Sequence, residues 1–314
     1  MPATRSCPAC GGPLMPWRMV PASDPALAPA EYQLSRCSRC ATAVTDGAGP
    51  DTSDALHQTG AYRPGTPRLH RLARPVLAAF DRQRLALVRT VASPGARLLD
   101  AGAGKGRFVV AAAEAGYDAW GLEPAPRSGQ TAGAWSSRIQ RVGIEEAQVE
   151  ASSLDVITLW HVLEHVQDPR PALRRIADWL RPGGGLLVGV PNLDSLQARL
   201  GGPRWYHLDV PRHRTHFTAK GLCRLLSSEG FSVRHTHHVL LEHNAFGMWQ
   251  SLVSRFTSHP SYVYNVLKRN APLRSPDLAI SLVGLPLAPL AAGLELLAGL
   301  GGHGGTVAVL ATRD

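Results

Sequence analysis

The sequence has little lysine, no uninterrupted apolar run long enough for a simple transmembrane helix, and no targeting pattern at its start. Three of the 33 basic residues are lysine. Met1–Met19 lacks the charged-then-apolar order of a signal peptide. The most apolar stretch, residues 279–300, is interrupted by Pro286, Pro289 and Glu295. We therefore expect a cytoplasmic protein that does not span a membrane.

The net charge of +9 at pH 7 is unevenly distributed. Residues 1–60 carry four arginines against five acidic residues, whereas residues 61–92, 199–224 and 255–274 are strongly basic. This distribution favours an anionic small or carrier-linked ligand, or a membrane surface. The near-neutral N-terminal segment and the sparse lysine speak against nucleic acid. The alternative is that these arginines are only solvated side chains on the outer faces of helices.

Four of the five cysteines form two C-x₂-C pairs, Cys7 with Cys10 and Cys37 with Cys40. Four thiolates in this spacing can close a tetrahedral Zn²⁺ site, and a short segment with little core needs such a metal to fold. Disulfides are the alternative, but they are rare in the cytoplasm. The pattern predicts a structural zinc-ribbon module over residues 1–45. A closed four-sulfur site has no position for a substrate.

A glycine-rich turn follows an apolar strand that ends near Leu99. It reads Asp100-Ala101-Gly102-Ala103-Gly104-Lys105-Gly106, and a helical pattern begins at Phe108. Such a turn lets backbone N–H groups at a helix N-terminus approach an anion closely. Arg107 stands where a dinucleotide-binding loop has its third glycine, which argues against a pyrophosphate ligand. Glu123 ends the next predicted strand about twenty residues later, where a carboxylate accepts hydrogen bonds from ribose hydroxyls.

These motifs, with the segment from Asp155 to His165, Arg181–Gly185, Val-Pro-Asn at 190–192 and Pro-Arg-His-x-x-His-Phe at 211–217, occur in an order that resembles the class I S-adenosylmethionine-dependent methyltransferases. Within that class the chain is similar to the type 23 subgroup. The resemblance implies an α/β fold with a Rossmann-like, doubly wound, seven-stranded sheet whose last strand is antiparallel. This domain would comprise residues 68–242 and a final strand at 304–314. Residues 46–67 would be a linker, and residues 243–303 a helical insertion or lid.

The resemblance also assigns S-adenosylmethionine to specific residues. Asp100 and the backbone of Gly102, Ala103, Gly104 and Gly106 would meet the methionine amino and carboxylate groups. Glu123 would meet the ribose, and Gly143 and Ile144 would lie near the adenine. Trp160 and His161 would lie beside the sulfonium.

Methyl transfer to a hydroxyl requires alignment of the acceptor and removal of its proton. Histidines are the candidates for both tasks, and we expect catalytic roles among four of them: His161, His165, His213 and His216. The segment His161-x-x-Glu164-His165 also permits a divalent cation, as in related enzymes with Glu-x-x-Glu-His. A structural alternative is that Glu164 and His165 cap the following helix and satisfy backbone groups near the cofactor.

The sequence thus predicts methyl transfer to a small-molecule or carrier-linked acceptor, with O-methylation favoured. An RNA methyltransferase that uses the zinc ribbon for binding is one alternative, and a cofactor-binding scaffold without chemistry is another. For residues 279–300 we weigh a lid or dimer contact against peripheral contact with a bilayer, where a lipid-linked acceptor could be reached.

Overall fold

The computed structural model describes residues 6–27, 30–47, 70–124, 130, 132–273 and 275–314. Nearly all of the predicted linker 46–67 lies outside these residues. The chain forms two compact units. The first, here called the ribbon unit, comprises Met1–Val76, Pro191–Gly221 and His237–Val307. The second, the sheet unit, comprises Leu77–Val190, Leu222–Thr236 and Ala308–Asp314.

The described strands are β1 (Leu14–Pro21), β2 (Glu31–Cys37), β3 (Ala43–Thr45), β4 (Arg97–Ala101), β5 (Asp118–Leu122), β6 (Ile139–Gln140), β7 (Leu154–Trp160), β8 (Leu180–Pro191), β9 (Thr215–His216), β10 (Phe231–His237) and β11 (Thr306–Arg313). The described α-helices are α1 (His70–Val88), α2 (Arg107–Glu114), α3 (Pro169–Trp179), α4 (Leu196–Gly201), α5 (Ala219–Ser228), α6 (Asn244–Val253), α7 (Tyr262–Leu267), α8 (Pro276–Val283) and α9 (Ala288–Leu300).

A seven-stranded sheet with the order β10-β11-β8-β7-β4-β5-β6 forms the core of the sheet unit. The strands β6, β5, β4, β7 and β8 pair in parallel. Strand β11 is antiparallel to its neighbours β10 and β8, since its end lies beside the start of each. The N–H of Asp314 donates to the carbonyl of Gly230 just before β10, and the Arg313 side chain donates to the carbonyl of Leu180 at the start of β8. The central strands are apolar and buried on both faces, as parallel strands between helices must be. The predicted fold class is therefore confirmed.

The ribbon unit contains a four-stranded antiparallel sheet with the order β1-β2-β3-β9. Its first three strands come from the cysteine-rich N-terminus, and the fourth comes from the histidine-rich segment that follows β8. An apolar cluster joins the two parts, with members from both: Val20, Leu34, Ala43, Leu193, Ala198, Trp205, Leu208 and Val210. A fully buried ion pair between Arg212 and Asp24 adds to this contact. The ribbon thus completes its small core with residues from a distant part of the chain.

Helices α6 to α9 build the rest of the ribbon unit around a second apolar cluster of Met248, Trp249, Val253 and Ala291. The Trp249 indole N–H donates to the carbonyl of Gly284 at 2.8 Å, which fixes α6 against the end of α8. Within the described part of the chain, no single helix is long and apolar enough to cross a bilayer. Pro276–Val283 and Leu285–Leu300 meet that criterion only together, with a 41° bend between them.

Candidate active site and metal centre

The glycine turn that follows β4 has a left-handed backbone conformation at three residues. Gly102, Gly104 and Gly106 have φ values of +83°, +55° and +81°, a region that other residues enter only at a cost. A Cβ atom on Gly102 would lie 2.1 Å from Cγ2 of Val162, in the segment after β7. The N–H groups of Gly102 and Ala103 donate to the carbonyl of Leu122 at 2.8 and 2.9 Å. The turn is therefore held between the carboxyl ends of two neighbouring strands.

Glu123 follows β5 and faces this turn. The N–H of Gly104 donates to its Oε2 at 2.8 Å, and the residue is only 5% exposed. A carboxylate has two oxygens and several lone pairs, so this bond leaves capacity for further donors. The structure thus brings together the glycine turn and the strand-end acid that the sequence singled out, at the end of the sheet where ligands of doubly wound folds bind.

Asp100 makes contacts that the sequence did not reveal. Its Oδ1 accepts from Arg84 on α1 at 2.8 Å and from the hydroxyl of Thr158 on β7 at 2.6 Å. The Arg84 guanidinium carbon also lies 3.7 Å from the ring centroid of Phe108 on α2. Asp100 and Arg84 are both buried, so each neutralises a charge that would be costly alone. The Asp100 carboxylate therefore ties α1 to β4 and β7 directly below the turn.

Arg107 stands at the position where a dinucleotide-binding loop has its third glycine, and here it has a structural role. Its side chain pairs with Asp81 on α1 at 2.7 Å and donates to the carbonyl of Leu77. It therefore connects the start of α2 to α1 and leaves the turn to the preceding glycines. Sequence reasoning missed Arg84 and Asp81 because neither belongs to a local motif.

Trp160 and His161 lie where β7 ends. The Trp160 ring packs on Gly189 of β8, where a Cβ atom would come within 2.7 Å. Its buried indole N–H has no hydrogen-bond acceptor among the described residues. His161 has a φ of +53°, and its N–H donates to the carbonyl of Gly189 at 2.9 Å. Non-glycine residues in this conformation cluster at functional sites.

The His161 side chain bonds to Glu164, with Nδ1 3.0 Å from Oε1. A carboxylate only accepts, so Nδ1 carries the proton and Nε2 of the neutral ring carries the lone pair. Residues 163–165 form a turn, and α3 begins later with Asp168 as its N-cap, whose side chain accepts from the N–H of Arg170 at 3.1 Å. The cap of this helix is therefore Asp168 and not Glu164 or His165, which corrects that part of the structural alternative.

Gly143 and Ile144 lie in a turn after β6. Ile144 is buried, and its carbonyl accepts from Nε of Arg175 on α3 at 3.0 Å. This bond holds the backbone of the segment in place.

His213 and His216 belong to the ribbon unit, and both are buried. Nδ1 of His213 donates to the carbonyl of His207 at 2.8 Å. Nε2 of His216 lies 2.9 Å from the hydroxyl of Thr45, which itself donates to the carbonyl of His213 at 2.7 Å. Because that hydroxyl has one hydrogen, Nε2 of His216 must be the donor. The hydrogen bonds therefore fix the tautomer of each ring.

The four ribbon cysteines converge, with all their Sγ atoms within 4.8 Å of one another. The Cys7–Cys40 and Cys10–Cys37 sulfur distances are 3.6 and 3.5 Å. A zinc site with Zn–S bonds of about 2.3 Å has sulfurs roughly 3.8 Å apart. These sulfurs are too far apart for disulfide bonds, which are about 2.05 Å long. The hydrogen bond from Cys7 lowers the pKa of the Cys40 thiol, and the same contact raises the pKa of Cys7, so the two sulfurs titrate as a pair.

The fold and the glycine turn define a Rossmann-like methyltransferase. The comparisons with known proteins agree, because residues 68–236 match the model of the methyltransferase domain family. The chain therefore belongs to this family of S-adenosylmethionine-dependent methyltransferases.

Two curated relatives are each named ubiquinone biosynthesis O-methyltransferase. The protein from Xanthomonas campestris is 36% identical over 110 residues, which is 32% of this chain and 46% of the relative. The protein from Aeromonas salmonicida is 29% identical over 153 residues, 45% of this chain and 64% of the relative. The chain thus spans about half to two thirds of these relatives. The structure of a putative sarcosine dimethylglycine methyltransferase from Galdieria sulphuraria superposes with a TM-score of 0.50 at 17% identity, and the match covers 78% of this chain and 88% of that one. It supports the fold.

The tight contact at Gly102 yields a first prediction. Gly102→Ala should lower the free energy of unfolding by about 2–4 kcal/mol, because a left-handed alanine costs about 1 kcal/mol and the overlap with Val162 adds an overpacking cost. Gly183→Ala is the matched control, since φ is +74° there and no atom lies within 4 Å of the new methyl group. It should cost only about 1 kcal/mol. Equal losses in urea unfolding would contradict the close packing of the turn.

Proposed function

We propose that the protein transfers a methyl group from S-adenosylmethionine to a hydroxyl of a small-molecule or carrier-linked acceptor. The observation that carries this proposal is the hydrogen bond from Gly104 to Glu123, which places a buried carboxylate beside three left-handed glycines. When bound, S-adenosylmethionine supplies an activated methyl group on a sulfonium. The names of the curated relatives support transfer to oxygen.

The residues present fit this cofactor. Glu123 would accept hydrogen bonds from the ribose hydroxyls, and the backbone N–H groups of the turn, at the N-terminus of α2, would bind the methionine carboxylate. Asp100 would favour the methionine ammonium electrostatically, although its Oδ1 is already committed to Arg84 and Thr158. The Trp160 indole and the His161 imidazole would line the side towards the reacting methyl group, and Gly143 and Ile144 the adenine.

Proton removal is assigned to histidine. Nδ1 of His161 lies 3.0 Å from the buried Glu164 carboxylate, which orients the imidazole ring as the carboxylate of a catalytic triad does. His213 and His216 are held in single tautomers by the ribbon unit. We propose that at least one of these three rings or His165 orients or deprotonates the acceptor. A divalent cation at His161, Glu164 and His165 is the second way to activate a hydroxyl, by polarising its oxygen.

The first experiment measures cofactor binding by calorimetry. Glu123→Gln should weaken S-adenosylmethionine binding at least tenfold, because the amide loses the charge and half of the acceptor capacity that ribose hydroxyls use. The exposed Glu150→Gln is the charge-matched control and should bind normally. A wild-type protein without affinity for S-adenosylmethionine would overturn the proposed function.

The second experiment measures methyl transfer by histidine variants, with S-adenosylmethionine labelled in its methyl group and an extract of the host. Label should enter the small-molecule or lipid fraction, and the rate should fall at least a hundredfold in one or more of His161→Gln, His165→Gln, His213→Gln and His216→Gln. His235→Gln, an exposed change on β10, should retain full activity. Loss of activity on chelation, restored by Mg²⁺, would favour the cation. Label in RNA would support the RNA methyltransferase instead, and binding without transfer would support the scaffold.

We further propose that Cys7, Cys10, Cys37 and Cys40 hold one structural Zn²⁺. Cys37→Ser should lose the metal and lower the melting temperature by more than 5 °C, because the ribbon contributes strands to a shared core. Cys223→Ser should retain the metal, since that cysteine lies on α5 outside the cluster. Elemental analysis and thermal unfolding provide the measurements. A full zinc content in the Cys37 variant would refute the four-cysteine site.

Residues 276–300 are proposed as a peripheral membrane surface. Eight of their large apolar side chains are between 48% and 82% exposed: Leu282, Val283, Leu285, Leu287, Leu290, Leu296, Leu297 and Leu300. The two carboxylates of this segment, Asp277 and Glu295, are 1% and 5% exposed. Asp277 accepts from the N–H groups of Ser258 and His259, and Glu295 from Gly305 and Gln197. The solvent-facing side therefore presents apolar groups without an acidic charge.

A bilayer with anionic lipids fits this surface better than a second copy of the chain. The exposed charges that the structure describes in residues 243–302 are cationic, at Arg255 and Arg269. Two such surfaces would repel each other, whereas anionic headgroups would attract them while the leucines enter the acyl boundary. Such docking would give the enzyme access to a lipid-linked acceptor.

Vesicle sedimentation tests this surface. The wild type should sediment with phosphatidylglycerol vesicles at low salt, and Val283→Glu with Leu297→Glu should reduce the bound fraction at least tenfold, because two charges must leave water. Met15→Glu on β1 is the control, since Met15 is 57% exposed outside this surface. Absence of wild-type binding, or dimerisation that the double variant abolishes, would overturn the membrane proposal.

A further inference from the structure

A pocket lies entirely within the ribbon unit. Its volume is about 270 Å³, and it opens between strands β1 and β2 of the ribbon and the segment around α4. Two kinds of side chain line it: the cationic groups of Arg18, Arg36 and Arg199, and an aromatic and aliphatic wall of Trp17, Trp205, Leu193 and Leu208. Neither the cofactor nor the zinc site uses these residues.

The two ribbon arginines converge on one tryptophan. The pairing of β1 with β2 is irregular between Pro16 and Arg18, so Trp17 lies in a bulge. The guanidinium carbons of Arg18 and Arg36 lie 3.4 and 4.7 Å from the Trp17 ring centroid. Cation–π contact with the indole holds both groups in the half-buried wall of the pocket.

The positive charge of this pair is not balanced within the pocket. Among the residues that the structure describes, no carboxylate lies within ion-pair distance of Arg18 or Arg36. Asp194 on the rim pairs instead with Arg199, at 3.2 Å. Burial and the neighbouring Arg36 charge lower the pKa of Arg18, although an arginine remains protonated at neutral pH. Two like charges held together in a concave site produce a strong local positive potential.

The remaining wall is rigid and apolar. Leu193, Trp205 and Leu208 are 2–6% exposed and belong to the cluster that joins the ribbon to the rest of its unit. The Trp205 indole N–H donates to the Gln197 side chain at 3.3 Å, which fixes the ring. The pocket therefore combines one doubly cationic end with an apolar floor, of which these closely packed side chains expose only a small area.

We propose that this pocket binds a phosphate monoester attached to a small ring, with the phosphate on Arg18 and Arg36 and the ring against Trp205 and Leu208. Two guanidinium groups match the charge of a phosphate monoester, which is close to −2 at pH 7, better than that of a single carboxylate. Arginine also presents paired N–H donors to two phosphate oxygens at once. The proposal does not depend on methyl transfer.

Calorimetry with simple probes tests this assignment. Phenyl phosphate should bind at least tenfold more tightly than inorganic phosphate, which lacks the ring, and more tightly than benzoate, which carries one charge. Arg18→Gln and Arg36→Gln should each weaken phenyl phosphate binding at least tenfold. Lys220→Gln, an exposed loss of the same charge in the same unit, should leave it unchanged. Zinc content and melting temperature establish that each variant is folded.

A second measurement uses the unmodified protein, in case the arginine variants do not fold. Phenylglyoxal modifies accessible arginines, and peptide mapping locates the modified positions. Phenyl phosphate should protect Arg18 and Arg36 at least tenfold, whereas exposed Arg82 on α1 should react at the same rate with and without it. Benzoate that binds as tightly as phenyl phosphate, no binding at millimolar concentration, or equal reaction of Arg18 and Arg36 with and without the probe would overturn the proposal.

Discussion

The pairing of β3 with β9 is the contact on which the ribbon unit depends. Ala43 pairs with His216 and Val44 with Thr215, so a strand three residues beyond Cys40, the last cysteine of the cluster, forms a sheet with the histidine-rich segment. The carbonyl of Cys40 also accepts from the hydroxyl of Thr218 at 2.7 Å. Metal binding at the cysteines would therefore order backbone that is hydrogen-bonded directly to the segment carrying His213 and His216. A structural metal can in this way determine the orientation of side chains that it does not touch.

In the sheet unit, ion pairs hold the glycine turn in one conformation. Glycine gives the turn its left-handed backbone but no side chain to anchor it. The anchors lie on either side: Asp100 below the turn binds Arg84, and Arg107 above it binds Asp81. Both partners lie on α1, so a single helix fixes the position of the turn relative to the strands. Pre-organised N–H groups lose less entropy when they bind an anion than a mobile loop would.

Much of the sheet unit could be predicted from the sequence, because its signals are local. The apolar strands, the glycines after β4 and the acid after β5 occur in an order that leaves few alternative topologies. The ion pairs of Arg84 and Arg107 could not be predicted, since their partners lie 16 and 26 residues away on elements whose packing angle is not encoded by spacing. The N-cap of α3 was also missed, although Asp168 followed by Pro169 is an order typical of a helix start.

The ribbon unit shows the limit of local reasoning more clearly. The C-x₂-C pairs predict a metal site from spacing alone, and the four sulfurs do converge. Nothing local indicates that Val20 and Leu34 share a core with Trp205 and Leu208, which lie 171 to 188 residues later in the chain. A ribbon of this size cannot bury enough apolar area alone, so it requires a partner surface, and only the three-dimensional structure identifies that surface.

The distribution of charge in residues 243–303 also depends on which side chains are buried. Glu295 lies on a helix whose other face is leucine, and burial raises its pKa despite hydrogen bonds from Gly305 and Gln197. An outward glutamate would stay hydrated, whereas burial of this carboxylate costs free energy that its two hydrogen bonds offset only in part. The inward carboxylate accepts from the N–H of Gly305, just before β11, and the outer face of α9 carries no negative charge. The buried acid and the exposed leucines therefore belong to one arrangement, in which the polar group of the helix is used on its inner face and the outer face stays apolar.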